Sequence, residues 1–202
     1  GVDASAALAA KTHVVHNGVE RLQKKQGPKK PVILFVGRMV AEKGVLELAE
    51  AAAQILPNHP EWQLCLAGAK GFEVAEKSPY EKQVESALVR LGAQAQMTGF
   101  LPYADIRTLQ GEAAIIACPS LWQDPMPKVV LEALAAGSAL LASRRGGIPE
   151  AAEGRAHIVD DPNVDTLASA IEQLIADDSY RNSLQQAAWA DFPFTAKQMA
   201  AD

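Results

Sequence analysis

The stretch Pro119–Glu132, PSLWQDPMPKVVLE, with its continuation ALAAGSALLASRRGGIPE to Glu150, decides the fold. It reads as a strand end, a polar loop, a helix, a short strand and a glycine loop. Pro127 suits the first helical turn, where its missing N–H costs nothing. The backbone donors of Lys128, Val129 and Val130 then point out of the helix N-terminus, a ready anion site. Lys128 is out of place there, because a cation in the first turn opposes the helix dipole. A bound anion, or Glu132 one turn on, relieves it. Asp124 and Glu132 lie eight residues apart across the loop and the start of the helix.

Outward from this stretch, strands and helices alternate. PVILFVG from Pro31 and WQLCLAG from Trp62 are continuous apolar runs, as buried parallel strands require. Further strands are expected at Ala95–Thr98, Ala113–Cys118, Ala139–Ala142 and Ala156–Val159. Helical spacing covers Gly44–Leu56, Pro79–Leu91, Pro102–Leu109, Pro127–Ala136, Ile148–Ala152, Asn163–Ala176 and Ser179–Ala190, and Phe192–Ala200 reads as one more helix. Such alternation predicts a doubly wound α/β fold, a mostly parallel Rossmann-like sheet with helices on both faces. These sheets bind ligands beyond the carboxyl ends of their strands. The loops there are Gly37–Gly44, Gly68–Phe72, Gly99–Tyr103, Pro119–Pro127 and Ser143–Pro149. Residues 1–30 read as a polar lead-in, with a short strand at Thr12–Val15, a turn at Asn17-Gly18 and an exposed linker, KKQGPKK, at Lys24–Lys30.

The 202 residues suit one sizeable domain with a full core and flanking pieces. A net charge of −5 argues against a general nucleic-acid partner, which wants a basic surface. No apolar run is long enough to span a membrane, and Gly1–Glu20 lacks the apolar centre of a signal peptide. A chain opening on Gly1 rather than Met reads as a piece of a longer protein. Cys65 and Cys118 sit inside apolar runs and read as buried reduced thiols on neighbouring strands, with a cytosolic compartment as the default.

Several polar clusters fall in the loops. In GRMVAEKG, residues 37–44, Gly37 allows a sharp exit from the strand. Arg38 and Lys43 flank a helix start, where two cations suit a diphosphate. On charge alone, surface cations bridging to Glu42 or Glu47 are the stronger reading. Neither a P-loop nor a GxGxxG after a strand is present. In SRRGGIPE, residues 143–150, the glycines allow close backbone approach to a ligand, or make a tight turn with exposed arginines. Asp124 and Glu132 suit an acid/base pair or the hydroxyls of a polyol such as a sugar; a metal is least favoured, since no third ligand lies nearby. Alternatively, Glu132 pairs with Lys128 and Asp124 flanks the helix as a cap. The four histidines are scattered, and Trp122 lines the ligand-facing loops or packs.

Taken in order, GRMVAEKG, LAGAKG, TGFLP, PSLWQDPMPKVVLEALAAG and GGIPE resemble the C-terminal half of a retaining glycosyltransferase of family 4, of GT-B fold. HNGVE at His16–Glu20 resembles the passage between the two GT-B domains, and FPFTAKQMA resembles the segment that crosses back. The resemblance implies that residues 1–30 are an interdomain lead-in, 31–190 a nucleotide-sugar-binding domain and 191–202 a crossover segment, with an N-terminal acceptor domain outside this chain. It implies that Arg38 and Lys43 hold the donor diphosphate, beside Gly37. Glu132 binds the ribose hydroxyls, and Asp124 lies by the donor sugar as the third catalytic residue. Lys128, Val129 and Val130 face the phosphates, and the backbone around Phe100 and Leu101 meets the base. Asp124 replaces the usual Glu, and Met126-Pro127-Lys128 stands where Phe-Gly-Leu is common.

The function so implied is donor binding in a hexosyl transfer from a nucleotide sugar to an acceptor hydroxyl, as in polysaccharide or glycoconjugate synthesis. No metal or cofactor is implied, and a UDP-sugar is favoured over a GDP-sugar. The expected partners are the donor, the N-terminal domain and an acceptor sugar or lipid-linked sugar. The expected location is the cytoplasm or the inner membrane face, and the chain alone is expected to be inactive. The alternative is a GT-B-like domain that binds a nucleotide sugar or a partner without catalysis.

Overall fold

The computed structural model describes residues 16–23, 27–71, 76–190 and 192–200. The strand expected at Thr12–Val15, the first residues of the Lys24–Lys30 linker and Phe72 lie outside these. Six strands form one sheet: β1 (Lys30–Val36), β2 (Gln63–Ala67), β3 (Ala95–Gly99), β4 (Ala113–Cys118), β5 (Ala139–Ser143) and β6 (Ala156–Val159). Their order is β3-β2-β1-β4-β5-β6, and every neighbouring pair is parallel. The chain winds outward in one direction from β1 and in the other from β4. The loops leaving these two strands therefore diverge, and a crevice opens between them at the switch point.

Strand alternation divides the core. Ile33, Phe35, Ile115, Ala117 and Leu141 face one layer, with helices α1 (Val45–Ile55), α2 (Pro79–Leu88) and α6 (Val164–Ala176). Leu34, Cys65, Ile116, Cys118 and Leu140 face the other, with α3 (Tyr103–Glu112), α4 (Lys128–Ala135) and α5 (Ile148–Ala152). Helix α7 (Asp178–Ala190) sits at the seam, giving Leu184 to the first layer and Ala188 to the second. Both faces of the central strands are covered, so β1 and β4 read as unbroken apolar runs in the sequence. Each fully buried Ile or Leu contributes about 1.5–3 kcal/mol.

Some expected boundaries move. Pro127 is not in the first turn of α4 but forms its cap, extended at ψ 125°. Helix α2 ends at Leu88 and gives way to a tighter turn over Val89–Gln94, where Gly92 has φ 51°. Helix α3 runs to Glu112, past the expected Leu109, directly into β4. In the C-terminal stretch helix α8 is confined to Ala196–Met199, four residues after the expected start at Phe192. Cys65 and Cys118 are buried and free, but β1 lies between their strands, so they are not on neighbouring ones.

The described part of the lead-in packs against the domain. Val19 pairs with Thr195, its N–H donates to the Phe194 carbonyl at 2.9 Å, and its side chain is buried. Lys30 opens β1 and pairs with Glu112 at 2.7 Å. Among the described residues no helix is long and apolar enough to cross a membrane.

Candidate functional site

The crevice between β1 and β4 is built by backbone interlock before any side chain enters it. Gly44, at φ +66°, ends the first loop; a Cβ there would lie 2.1 Å from the Pro119 carbonyl oxygen, so only glycine fits. The Glu42 carbonyl accepts from the N–H groups of Leu121 (2.9 Å) and Trp122 (3.2 Å). From the other side, the Gly147 N–H donates to the Asp124 carbonyl at 2.8 Å, and the Ser143 hydroxyl donates to the Ser120 carbonyl at 2.6 Å. The loop 119–127 is thus clamped between the loops after β1 and β5.

The clamp brings Arg38, Lys43, Trp122 and Asp124 around one open cavity of about 280 Å³. Lys43 Nζ donates to Asp124 Oδ2, a contact between half-buried groups 81 residues apart in sequence. Lys43 therefore bridges to neither Glu42 nor Glu47, and Asp124 does not cap α4. Arg38 is exposed and makes no ion pair among the described residues. Trp122 is 63% exposed, a cleft-lining rather than a packing residue. The cavity lining runs as far as Pro125, two residues before the Pro127 cap of helix α4, and no side chain caps that helix. Of its three first donors, that of Val130 is taken by the Pro127 carbonyl at 3.0 Å. Lys128 is exposed and does not reach Glu132.

Glu132 lies one turn into α4 and is 8% exposed. Its Oε2 accepts from Gln110 Nε2 at 2.8 Å, and its Oε1 faces the Tyr103 hydroxyl at 3.4 Å. Burial, and then the Glu132 charge, raise the Tyr103 pKa above the ordinary phenol value. Gln110 and Tyr103 escaped the sequence reading. One signal was available: Ile106 and Gln110 are four apart on one helix face, which places a polar amide on the buried side.

A second cavity of about 290 Å³ adjoins Arg38 and is almost wholly apolar, lined by Val36, Gly37, Ala67, Gly68, Phe100 and Leu101 among others. It lies at the carboxyl ends of β1, β2 and β3. Phe100 is 58% exposed at its edge. The two cavities meet at Arg38. Together they form an apolar recess running into a polar, cationic one.

The SRRGG loop makes a turn at Gly146-Gly147, one of the two readings its sequence allowed. Its arginines turn toward the end of β6: Arg144 to Glu153 and Asp160, and Arg145 to the Asp160 carbonyl and Asp161. Its glycines let the backbone approach the loop 119–127 closely, Gly146 at Asp124 and Gly147 at Pro125. The described histidines pair with Glu150 (His16), Glu172 (His59) and Tyr180 (His157). Burial pushes the Cys118 thiol up to about 11, so it is a packing residue despite ending β4 near Lys43.

A family model described as "Glycosyl transferases group 1" matches residues 19–190. The chain is 34% identical over 196 residues to the alpha-maltose-1-phosphate synthase of Mycolicibacterium smegmatis, covering 83% of this chain and 48% of that protein. Its fold matches Anabaena Alr3699/HepE, solved in complex with UDP and glucose, with a TM-score of 0.79 at 23% identity, over 96% of this chain and 55% of that one. It also matches the C-terminal domain of a glycosyl transferase group 1 family protein (LpcC) from Francisella tularensis, with a TM-score of 0.69 at 24% identity, over 87% and 92% of the two chains. The chain spans about two fifths to one half of the length of the curated relatives it matches. With the matched region running from the lead-in to the end of α7 and enclosing the whole sheet, the chain belongs to the glycosyl transferases group 1 family.

Proposed function

We propose that this chain is the donor-binding, C-terminal half of a retaining glycosyltransferase of family 4 and GT-B fold. The observation that carries this reading is the convergence of Arg38, Lys43 and Asp124 on one cavity, joined at Arg38 to an apolar recess at Phe100 and Leu101. An apolar slot continuous with a cationic one suits a nucleoside diphosphate, flat base at one end and charge at the other. UDP is the favoured nucleotide; Anabaena Alr3699/HepE, which shares the fold, was solved with UDP-glucose.

In this reading Arg38 and Lys43 meet the charge that develops on the departing diphosphate, which is where electrostatic stabilisation lowers a barrier most. They supply the positive charge without a metal. The bond from the sugar's anomeric carbon to the phosphate oxygen breaks as the acceptor hydroxyl attacks on the same face, and its proton passes to the departing phosphate. Glu132 holds the ribose, and Asp124 lies by the hexose. Donor binding repartitions Lys43 between Asp124 and the diphosphate. A preceding domain supplies the acceptor site, so this chain alone binds nucleotide weakly and transfers nothing.

The test is turnover of the full-length protein with UDP-, GDP- and ADP-hexoses. Arg38→Ala and Lys43→Ala are each expected to lower kcat by roughly 10²- to 10³-fold, the loss typical of one removed transition-state donor. Near-normal turnover in both variants would sink the phosphate role.

A further inference from the structure

Glu132 is buried, ionisable and connected to α3 rather than to the cavity's cations. Its partner, Gln110, is fully buried, at 0% exposure. Gln110 Oε1 accepts from Arg107 Nη1 at 2.8 Å, and Arg107 Nη2 donates to the Glu20 carbonyl at 2.8 Å. The chemistry leaves one orientation for the amide. Arg107 can only donate, so it must meet the amide oxygen; a carboxylate can only accept, so it must meet the amide nitrogen. The amide is thereby locked between a cation and an anion, and it cannot flip without losing both bonds.

This lock leaves one carboxylate oxygen committed and the other open. Oε2 is occupied at 2.8 Å, whereas among the described residues Oε1 has only the Tyr103 hydroxyl at 3.4 Å, beyond a good O–H···O distance. A hydroxyl-bearing ligand finds Oε1 oriented and under-used. A direct Arg107–Glu132 pair would saturate both oxygens in a fork. The neutral amide between them holds the carboxylate while leaving it free to accept.

We propose that Gln110 is the positioning residue for Glu132, setting its carboxylate toward the donor ribose, with Arg107 fixing the Gln110 amide and tying it to the lead-in at Glu20. The assignment rests on the donor-site reading above. It adds a buried residue that touches no ligand, and it makes ribose recognition depend on how the lead-in seats.

The experiment separates the two. Affinities of the chain for UDP, 2′-deoxy-UDP and 3′-deoxy-UDP are measured by ligand-detected NMR titration, which reads millimolar binding. The unmodified chain is expected to favour UDP over at least one deoxy analogue by roughly tenfold or more, the worth of a hydrogen bond to a charged acceptor. Glu132→Ala removes that preference. Gln110→Met is expected to bring the preference down to about twofold or less, with affinity for the deoxy analogue unchanged, and Arg107→Met to lie between. A fold defect lowers affinity for all three nucleotides together and leaves their ratio intact, so the ratio reports positioning. Thermal unfolding identifies a Gln110→Met chain that does not fold; the Arg107→Met ratio then decides, because Arg107 is only half-buried and its loss spares the core. If the unmodified chain binds none of the nucleotides, the donor-site reading fails and the assignment with it. If Glu132→Ala loses the preference while the folded Gln110→Met or Arg107→Met chain keeps it in full, the donor site stands and the role of Gln110 is overturned.

Discussion

Gly147 lacks a side chain because Pro125 stands where one would be. A Cβ built there falls 1.6 Å from the Pro125 carbonyl oxygen, while Gly147 itself has an ordinary φ of −85°. Collision alone therefore excludes larger residues. Gly147→Ala is expected to push the loop around Asp124 and Pro125 outward, at a cost of about 1–3 kcal/mol for overpacking, and to weaken nucleotide binding because Lys43 loses its partner's position. Gly154→Ala is the control: φ is +74° and nothing lies within 4 Å, so it carries backbone strain but no collision. Urea midpoints should fall in both, and UDP affinity only in the first; equal affinity losses would refute the clamp. At this scale the sequence was half legible. GRMVAEKG and Asp124 pointed to the cleft, because glycines and charges cluster where strands end. The Lys43–Asp124 contact was not legible, since it joins loops 81 residues apart whose approach depends on strand order. The SRRGG arginines were open between two roles for the same reason: their partners, Glu153, Asp160 and Asp161, lie beyond the loop itself.

The wall of the apolar recess is held by a helix start. Ser78 caps α2, and Glu81 closes the box by accepting from the Ser78 N–H at 2.7 Å; its other oxygen accepts from the Lys70 N–H at 2.9 Å, which pins the loop after β2. Burial by itself raises the Glu81 pKa, but the hydrogen bonds from Ser78 and Lys70 outweigh it and hold the carboxyl below its ordinary value. A depressed carboxyl contributes stability that is present above its unfolded pKa and is lost as pH falls through the folded one. Glu81→Ala is expected to cost about 1 kcal/mol near neutral pH, as lost caps do. Its deficit relative to the unmodified chain should shrink in acid, as urea midpoints from pH 7 to 3 would record; a deficit constant across that range would refute the linkage. At the scale of elements the sequence was most informative. Buried parallel strands are continuous apolar runs: β1, β2 and β4 appeared as such, whereas β3 (AQMTG) and β6 (AHIV), at the sheet edges, are mixed and were placed by the alternation with helices. The misplaced ends, Leu88 against Leu91 and Glu112 against Leu109, fall where a tighter turn or a direct helix-to-strand passage replaces the usual break. Pattern alone does not distinguish these, and the second error hid Gln110.

For the whole molecule, the described segment around Val19 and the C-terminal segment around Thr195 close on each other against α4 and α7. Val19 bridges to Thr195, Phe192 is 6% exposed, and the Leu22 N–H donates to the Ala135 carbonyl at 3.2 Å. A Cβ on Gly18 would meet the Thr195 oxygen at 2.6 Å, so the lead-in lies flush against the C-terminal stretch. The doubly wound sheet follows from alternation in the sequence, but this closure does not, because a single bridge between short polar segments leaves no periodic trace. Truncation after Ala190 uncovers Val19 and Ala188 and removes Phe192, a loss of about 3 kcal/mol at the usual worth of buried apolar side chains. For a chain of this size that corresponds to a fall of roughly 6–12 °C in Tm. Calorimetric unfolding should show the truncated chain still melting in one transition, since the six strands and their covering helices are intact. An unchanged Tm would mean that the ends contribute nothing. A drop in Tm accompanied by loss of UDP-over-deoxy preference would extend the coupling further: freeing Val19 also frees the Glu20 carbonyl, the last acceptor in the series through Arg107 and Gln110 to Glu132.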